Sequence, residues 1–275
     1  MNTFKEQCIK LRNQDYTLTE ISKLTGRSKT SIYFHIRNLP LSSEKRDLIR
    51  EVARAQVVKI ADRRRGKSAR PFRTFSTWNT HTVFVVSHFI FDGEISYGVC
   101  AYNNRNKSLI KRVESSMCQI YDFEPTRYLN QDTGVSRISY FNVALAAYIK
   151  KKSVELMRDI SGFRPELKRV FLQSFFDDEG CMDFRPDFNK RQVRGYQKDG
   201  DILRTVQRLL TEFDISSSIK LPNEVVIVGK ENLKKFQKEI DFSPGVRING
   251  KRSNSIWLKS IEKRRLLGLA LSSYR

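Results

Sequence analysis

Two positions in this chain place an acidic residue directly before a glycine, at the end of an apolar segment patterned like a helix. They are Asp92-Gly93 after HTVFVVSHFIF and Glu179-Gly180 after ELKRVFLQSFFDD. The two glycines are 87 residues apart. A carboxylate at a helix C-terminus opposes the helix dipole, at a cost of roughly a few tenths of a kcal/mol or more. A cost met twice, at equivalent places, argues that both carboxylates have work to do. Only three histidines are present (His35, His81, His88), so hydrolysis here would fall to carboxylates and metal more readily than to imidazole. The cysteines, Cys8, Cys100, Cys118 and Cys181, form no C-x-x-C pair, which argues against a zinc site of the usual spacing.

The chain has 275 residues with 51 Lys+Arg against 30 Asp+Glu, a formal net charge of +21 and 39% hydrophobic residues. That composition is globular and excludes a disordered tail, a collagen-like repeat and a disulfide scaffold. The charge calls for a polyanionic partner, nucleic acid before an anionic membrane surface. No apolar stretch approaches the roughly 20 residues of a membrane helix. Scattered cysteines and no signal-type N-terminus predict an intracellular setting. Residues 1–80 hold 18 Lys+Arg and 7 Asp+Glu, so the positive excess is concentrated at the N-terminus.

The first 38 residues read as three short helices, Phe4–Gln14, Thr17–Leu24 and Ser28–Ile36. Thr17 and Glu20 form a capping box, Gly26 supplies a turn and Ser28 an N-cap. Leu18, Ile21, Leu24, Ile32 and Ile36 give the last two a buried stripe. The segment LTEISKLTGRSKTSIYFHIR resembles the helix-turn-helix family across its whole unit. That resemblance implies DNA contacts from Ser28, Lys29, Thr30, Tyr33 and Arg37 on the recognition helix. A further helix is predicted over residues 42–62. A basic linker, residues 59–79, comes after the first domain (residues 1–58), and its Arg64 and Arg65 are expected to track phosphates.

After residue 80 the chain runs through one plan twice, with halves at residues 80–162 and 163–275. A strand-like stretch comes after each acidic junction, EISYGVCAYN and then CMDFRPDFN, the second with a further strand at 192–197. An amphipathic helix comes next. Leu109, Ile110, Val113, Met117 and Ile120 match Ile202, Leu203, Val206, Leu210 and Phe213 at a constant offset of 93. Two strands (126–129 and 135–141; 215–221 and 225–228) and a closing helix (143–160; 231–240) complete each half. A last helix is predicted over 256–272. The order in each half is α-β-α-β-β-α or close to it, so the expected class is α+β with two pseudo-symmetric halves preceded by a small all-α domain.

The segments VVSHFIFDG (Val85–Gly93) and LQSFFDDEG (Leu172–Gly180) resemble the signature helices of the LAGLIDADG homing endonucleases of the two-motif, monomeric type. The resemblance covers about residues 80–275. It implies αββαββα-type halves with saddle-like antiparallel sheets, and that the two helices pack at a pseudo-twofold axis, with Asp92 and Glu179 together over the DNA minor groove. The family's small interface positions fall on Val86-Ser87 and Gln173-Ser174, so Gln173 departs in being polar. The first acidic motif position is Ile90 in one half and Asp177 in the other. Glu179 is longer by a methylene than the family's aspartate, which would alter metal geometry.

The resemblance further implies that Asp92, Glu179 and, more weakly, Lys230 are catalytic, and that Asp92, Glu179, Gly93 and Gly180 bind Mg²⁺ or Mn²⁺. It also implies that Arg127, Arg137, Arg185, Arg191, Arg194 and Lys220, with Tyr128, contact double-stranded DNA from the sheets, whose strand phase the sequence leaves open. Metal held between two such carboxylates can neutralise phosphate charge, generate a nucleophilic water and stabilise the leaving oxygen, giving a staggered double-strand break. The expected form is a monomer on DNA with no membrane contact. A chain opening at Met1 on its own DNA-binding module is expected to be free-standing. Two alternatives remain open: a LAGLIDADG-derived regulator or splicing maturase that binds without cutting, and a plain transcription regulator.

Overall fold

The computed structural model describes residues 3–64, 70–250 and 256–274, with the side chains of 57–64 left aside. The chain divides into two compact units, Met1–Ser68 and Ala69–Arg275.

The first unit is all-helical: α1 (Phe4–Asn13), α2 (Leu18–Thr25), α3 (Lys29–Ile36) and the long α4 (Ser43–Arg64). Capping boxes start α1 (Thr3 with Glu6) and α2 (Thr17 with Glu20), and Ser28 caps α3. Each cap satisfies backbone N–H groups that have no partner within the helix. Gly26 ends α2 in the left-handed region at φ 67°, a conformation that favours glycine. The core is Cys8, Ile21, Ile32 and Ile36, flanked by Phe4, Leu11 and Leu18. Leu24, expected in that stripe, is 59% exposed; it lies on the solvent side of the two-turn helix whose inner side carries Ile21. Helix α4 runs through the residues expected to begin the linker.

In the second unit the element order is α5 (Thr80–Phe91), β1 (Gly93–Ser96), β2 (Val99–Asn104), α6 (Lys107–Met117), β3 (Thr126–Leu129), β4 (Ser136–Phe141) and α7 (Val143–Asp159). It then repeats as α8 (Pro165–Asp178), β5 (Gly180–Arg185), β6 (Lys190–Tyr196), α9 (Gly200–Glu212), β7 (Ser218–Lys220), β8 (Glu224–Val228) and α10 (Lys230–Glu239), and α11 (Lys263–Ser272) closes it. The class is α+β, as expected, with two four-stranded antiparallel sheets in the orders β1-β2-β4-β3 and β5-β6-β8-β7. The stretch after the first acidic junction is a whole hairpin, both arms and the turn, whereas the stretch after the second is the first arm of one and its turn. The first hairpin turns at Tyr97-Gly98 with Gly98 at φ 84°; the second is longer, turning over Pro186–Asn189. That extra length changes the repeat offset from 87 at the junction glycines to 93 at Tyr102 and Gly195, their cross-strand partners.

Helices α5 and α8 pack side by side with Ser87 and Ser174 both buried, small side chains that permit close approach. Gln173 is turned away, its amide donating to the Ile240 carbonyl at 2.9 Å. Helix α5 is shared between two cores. Val85 and Phe89 join the first-half cluster with Tyr102, Leu109 and Tyr140, whereas Val83, Val86 and Phe91 join the second with Phe171, Phe175 and, from α9, Val206 and Leu210.

Two expectations are corrected. Residues 70–79 are not a free basic linker. The Tyr148 hydroxyl donates to the Phe75 carbonyl and accepts from its N–H, and Arg73 N–H donates to the Ile120 carbonyl. Phe75 and Trp78 also pack over the buried Lys152 ammonium at 4.9 and 5.5 Å, a favourable cation–π arrangement. The last helix begins at Lys263 rather than at residue 256. Ile248 N–H bonds to Ile261 O and Lys263 N–H to Val246 O, and this ladder, with Leu258 at φ 51°, holds the preceding residues out of a helix.

The junction glycines are required by space. A Cβ on Gly93 would meet Phe89 O at 2.2 Å, and one on Gly180 would meet Phe176 O at 2.4 Å. Gly180→Ala is therefore expected to destabilise the unit by about 1–3 kcal/mol through forced backbone shifts. Gly268→Ala, inside α11 with nothing within 4 Å, should be neutral or stabilising by up to about 1 kcal/mol. Thermal unfolding of the two variants tests this, and equal melting temperatures would contradict it.

Candidate active site

The hydrophobic runs of α5 and α8 end together, so the residues capping them arrive together. Asp92 and Glu179 are the C-caps of α5 and α8 and line one open cleft of about 870 Å³ with Asn103, Asn104, Cys181, Asp183 and Lys263. Asp92 O accepts from Asn103 N–H and Glu179 O from Tyr196 N–H, so each acidic residue is fixed in the hairpin that comes after it.

Each carboxylate has an amide partner at the same repeat position. Asn104 Nδ2 donates to Asp92 Oδ2 at 2.8 Å, and Gln197 Nε2 donates to Glu179 Oε1 at 3.3 Å. Asn104 and Gln197 are 93 residues apart, the same offset as in the amphipathic helices. Extending that offset back from the helices would have found both residues in the sequence.

Behind Asn104 lies a buried polar cluster. Asp178 accepts from the Tyr102 hydroxyl at 2.6 Å and is hydrogen-bonded to His88 Nδ1 at 2.7 Å. The His88 and Asp178 side chains are fully buried. Burial holds the imidazole pKa down to about 3, so this contact, at ion-pair distance, is a hydrogen bond between the carboxyl group and a neutral ring. Burial raises the Asp178 carboxyl well above its ordinary range, against the downward pull of the Tyr102 hydrogen bond. Asp177, also buried, accepts from Ser243 N–H and ties down the chain after α10. The cation offsetting this acidity is Lys263, whose buried ammonium donates to Phe176 O at 3.0 Å and Asp177 O at 2.7 Å. No sequence signal distinguishes Lys263 from its basic neighbours; the run Asp177-Asp178-Glu179 was the visible clue to the rest.

Burial pushes Asp92 up to about 8, with Asp178 adding to the shift and Lys263 and Asn104 opposing it. Glu179 is likewise pushed up to about 8 by burial and then by Asp92 and Asp178. Carboxylates held in that state would gain from a cation. Asp92 and Glu179 are two hard oxygen donors in an open polar cleft, a donor set that fits an ion which takes one or two carboxylates and keeps its remaining positions for water and phosphate, as Mg²⁺ does. Gly180 lines this cleft; Gly93 opens β1 directly after Asp92.

Lys230 is not at the site. Strand β8 runs antiparallel to β6, with Glu224 opposite Tyr196 and Val228 opposite Gln192, so the start of β8, not its end, adjoins Glu179. The Lys230 ammonium lies 5.9 Å from the Tyr274 ring instead.

The registers settle the phase of the strands. Tyr102, Ile138 and Tyr140 face the first core, and Met182, Phe184 and Val193 the second. Arg137, Tyr128, Arg185, Arg194 and Lys220 therefore lie on the opposite, open faces. Arg127 and Arg191 fall in the other phase. Arg127 pairs with Glu114 of α6, and Arg191 donates to Ser273 Oγ beside α11. The open-face arginines are themselves held: Arg137 by Glu94 at 2.6 Å, and Arg185 and Arg194 by Asp183 at 3.0 and 3.3 Å. In the first unit Ser28, Lys29, Thr30, Tyr33 and Arg37 are all exposed along α3. Arg65 and the Arg64 side chain lie outside the described residues.

Residues 166–241 match the family described as LAGLIDADG-like domain. That match falls within the second half. Among solved structures the chain is similar to the homing endonuclease I-DmoI in complex with DNA and Mn, at 15% identity over 58% of this chain and 96% of that one, TM-score 0.44. Mesophilic variants of I-DmoI match at 14% identity over 58% and 95%, TM-score 0.45. Full-length DUF199/WhiA from Thermatoga maritima matches at 14% identity over 63% and 60%, TM-score 0.46. No curated protein matches the chain. The family match spans α8, with its Glu179 end, through α10. No described helix is long and apolar enough to cross a membrane.

An acid whose pKa is raised by folding binds its proton more tightly in the folded state. Its contribution to stability is full below the ordinary carboxylate range and is lost as pH rises through about 8. The metal-free protein is therefore expected to lose thermal stability between about pH 5 and pH 9. Asp92→Asn, which cannot ionise, should melt close to the parent at the low end and clearly above it at the high end. The same difference in melting temperature at both pH values would contradict the raised pKa.

Proposed function

We propose that this protein is a site-specific DNA endonuclease that makes a staggered double-strand break using a divalent metal, Mg²⁺ or Mn²⁺. One observation carries the reading: two acidic junctions from two repeated halves meet in a single polar cleft, each held by an amide from the equivalent strand position. The family match over residues 166–241 supports it, as does the +21 net charge.

Asp92 and Glu179 would hold the metal. When bound, the metal neutralises phosphate charge and lowers the pKa of a bound water. Asn104 and Gln197 orient the carboxylates, and the open faces bearing Arg137, Arg185, Arg194 and Lys220 bind the backbone and base edges of a duplex laid across both sheets. Because both carboxylates belong to one chain, a monomer suffices to address both strands. The α2–α3 pair of the first unit acts as a helix-turn-helix: Gly26 turns the chain, and Lys29, Thr30, Tyr33 and Arg37 reach from the exposed side of α3 into a neighbouring major groove. Gly93 and Gly180 contribute the space that lets each carboxylate lie against its own helix end.

The test is a cleavage selection on a randomised or genomic DNA library in Mg²⁺, with a parallel binding selection in Ca²⁺. Cutting at one recurring long site is expected in Mg²⁺, abolished by Asp92→Asn and by Glu179→Gln with binding kept within a few-fold. Enrichment of bound but uncut DNA under every condition would place the protein instead with regulators or maturases that only bind.

The N-terminal unit has a separate check. In the full chain, Lys29→Ala with Arg37→Ala should shorten the nuclease-protected footprint at one end and flatten the salt dependence of binding. An unchanged footprint would remove the helix-turn-helix from the recognition surface.

A further inference from the structure

The two halves repeat the carboxylate and its amide but not the groups that stand behind the amide. Asn104 Nδ2 lies within hydrogen-bond reach of three acceptors: Asp92 Oδ2 at 2.8 Å, the Tyr102 hydroxyl at 3.1 Å and Asp178 Oδ1 at 3.2 Å. Asp178 belongs to α8 of the second half, so the first half's amide is held from across the helix pair. Asp178 is in turn fixed by the Tyr102 hydroxyl and by His88 of α5, and its side chain is fully buried.

None of these groups recurs on the other side. Counted from the junction glycines, the counterpart of His88 is Phe175 and that of Asp178 is Phe91; across the hairpin, the counterpart of Tyr102 is Gly195. Gln197 reaches Glu179 at 3.3 Å, and among the described residues its amide has no buried acceptor behind it; its own carbonyl oxygen accepts from Asp199 N–H. Phe91 sits in the apolar contact with Phe171 and Phe175, each at 5.3 Å between rings. Its presence indicates that this motif position can be filled without a charge. A buried carboxylate beside Asp92 and Glu179 carries an energetic penalty, and this fold accepts it on one side only.

We propose that Asp178 is a positioning residue for Asp92: it fixes Asn104, and through it the Asp92 carboxylate, so that the two strands of the bound duplex are cut at unequal rates. This inference rests on the endonuclease reading. The physical basis is preorganisation. An amide whose donor side is locked among buried partners holds the carboxylate in one rotamer, whereas Gln197 on a longer arm, with no buried anchor, leaves Glu179 freer.

The experiment uses the full chain and the duplex recovered by binding selection in Ca²⁺, with each strand carrying its own end label, under single-turnover conditions in Mg²⁺. The parent protein is expected to cut one strand about tenfold faster than the other. Asp178→Asn should slow that strand selectively, towards the rate of the slower one, without changing the affinity for uncut duplex in Ca²⁺. The double variant His88→Phe, Asp178→Ala copies the aromatic found at Phe175 and removes the charge. It should give the same selective loss with an unchanged or higher melting temperature. Equal strand rates in the parent would overturn the inference while leaving the endonuclease reading intact. So would an equal slowing of both strands by both variants, the mark of a structural role. Duplex that is bound but never cut in Mg²⁺ or Mn²⁺ would overturn both.

Discussion

Packing two helices so that both end in a carboxylate concentrates negative charge where the helix dipoles are already negative. Asp92, Asp177, Asp178 and Glu179 all lie at the ends of α5 and α8, and most of the second unit's irregular structure manages that fact. The buried Lys263 ammonium covers the last carbonyls of α8, the placement a helix C-terminus favours for a cation. Lys263 can be there only because residues 246–248 pair with 261–263 and deliver the start of α11 to that point. Ser243 N–H donates to one oxygen of Asp177, the Tyr102 hydroxyl and Asn104 amide donate to Asp178, and His88 Nδ1 is hydrogen-bonded to its other oxygen. Asp92 and Glu179 are left facing the cleft with one amide each.

Much of this was legible in the sequence because the repeat is a strong signal. A helix of constant apolar offset and, twice over, an acid directly before a glycine at the end of an apolar run place the motif helices and the junctions within a residue or two. The hairpins were half-legible: EISYGVCAYN reads as one stretch, since Tyr97-Gly98 is a turn too short to break the pattern. The features that stayed hidden came from long-range pairing. The helix predicted over 256–272 has a good local pattern in its second half only; the ladder to residues 246–248 claims the rest. Phe72, Phe75 and Trp78 sit among arginines and read as linker, yet those rings decide where residues 70–79 go. Lys230 sits close in sequence to the end of a strand, but an antiparallel register reverses which strand end is near the carboxylates.

The strand phase illustrates the same limit. Arg127 and Arg137 look alike in sequence, and so do Arg191 and Arg194. Cross-strand register sends one of each pair to the open face and the other to the helical side, where Glu114 or Ser273 receives it. Period-two alternation fixes relative phase within a strand, but only the core residues across the ladder, Ile138 opposite Arg127 and Phe184 opposite Arg191, fix it absolutely.

Helix α5 contributes Val85 and Phe89 to one core and Val83, Val86 and Phe91 to the other, while Val246 from the second half enters the first-half core. Such sharing means that neither half is an interchangeable module. A substitution on α5 that improves the fit on one side is felt on the other within a single helical turn. A graft of one half onto a foreign partner would have to carry both faces of α5 with it.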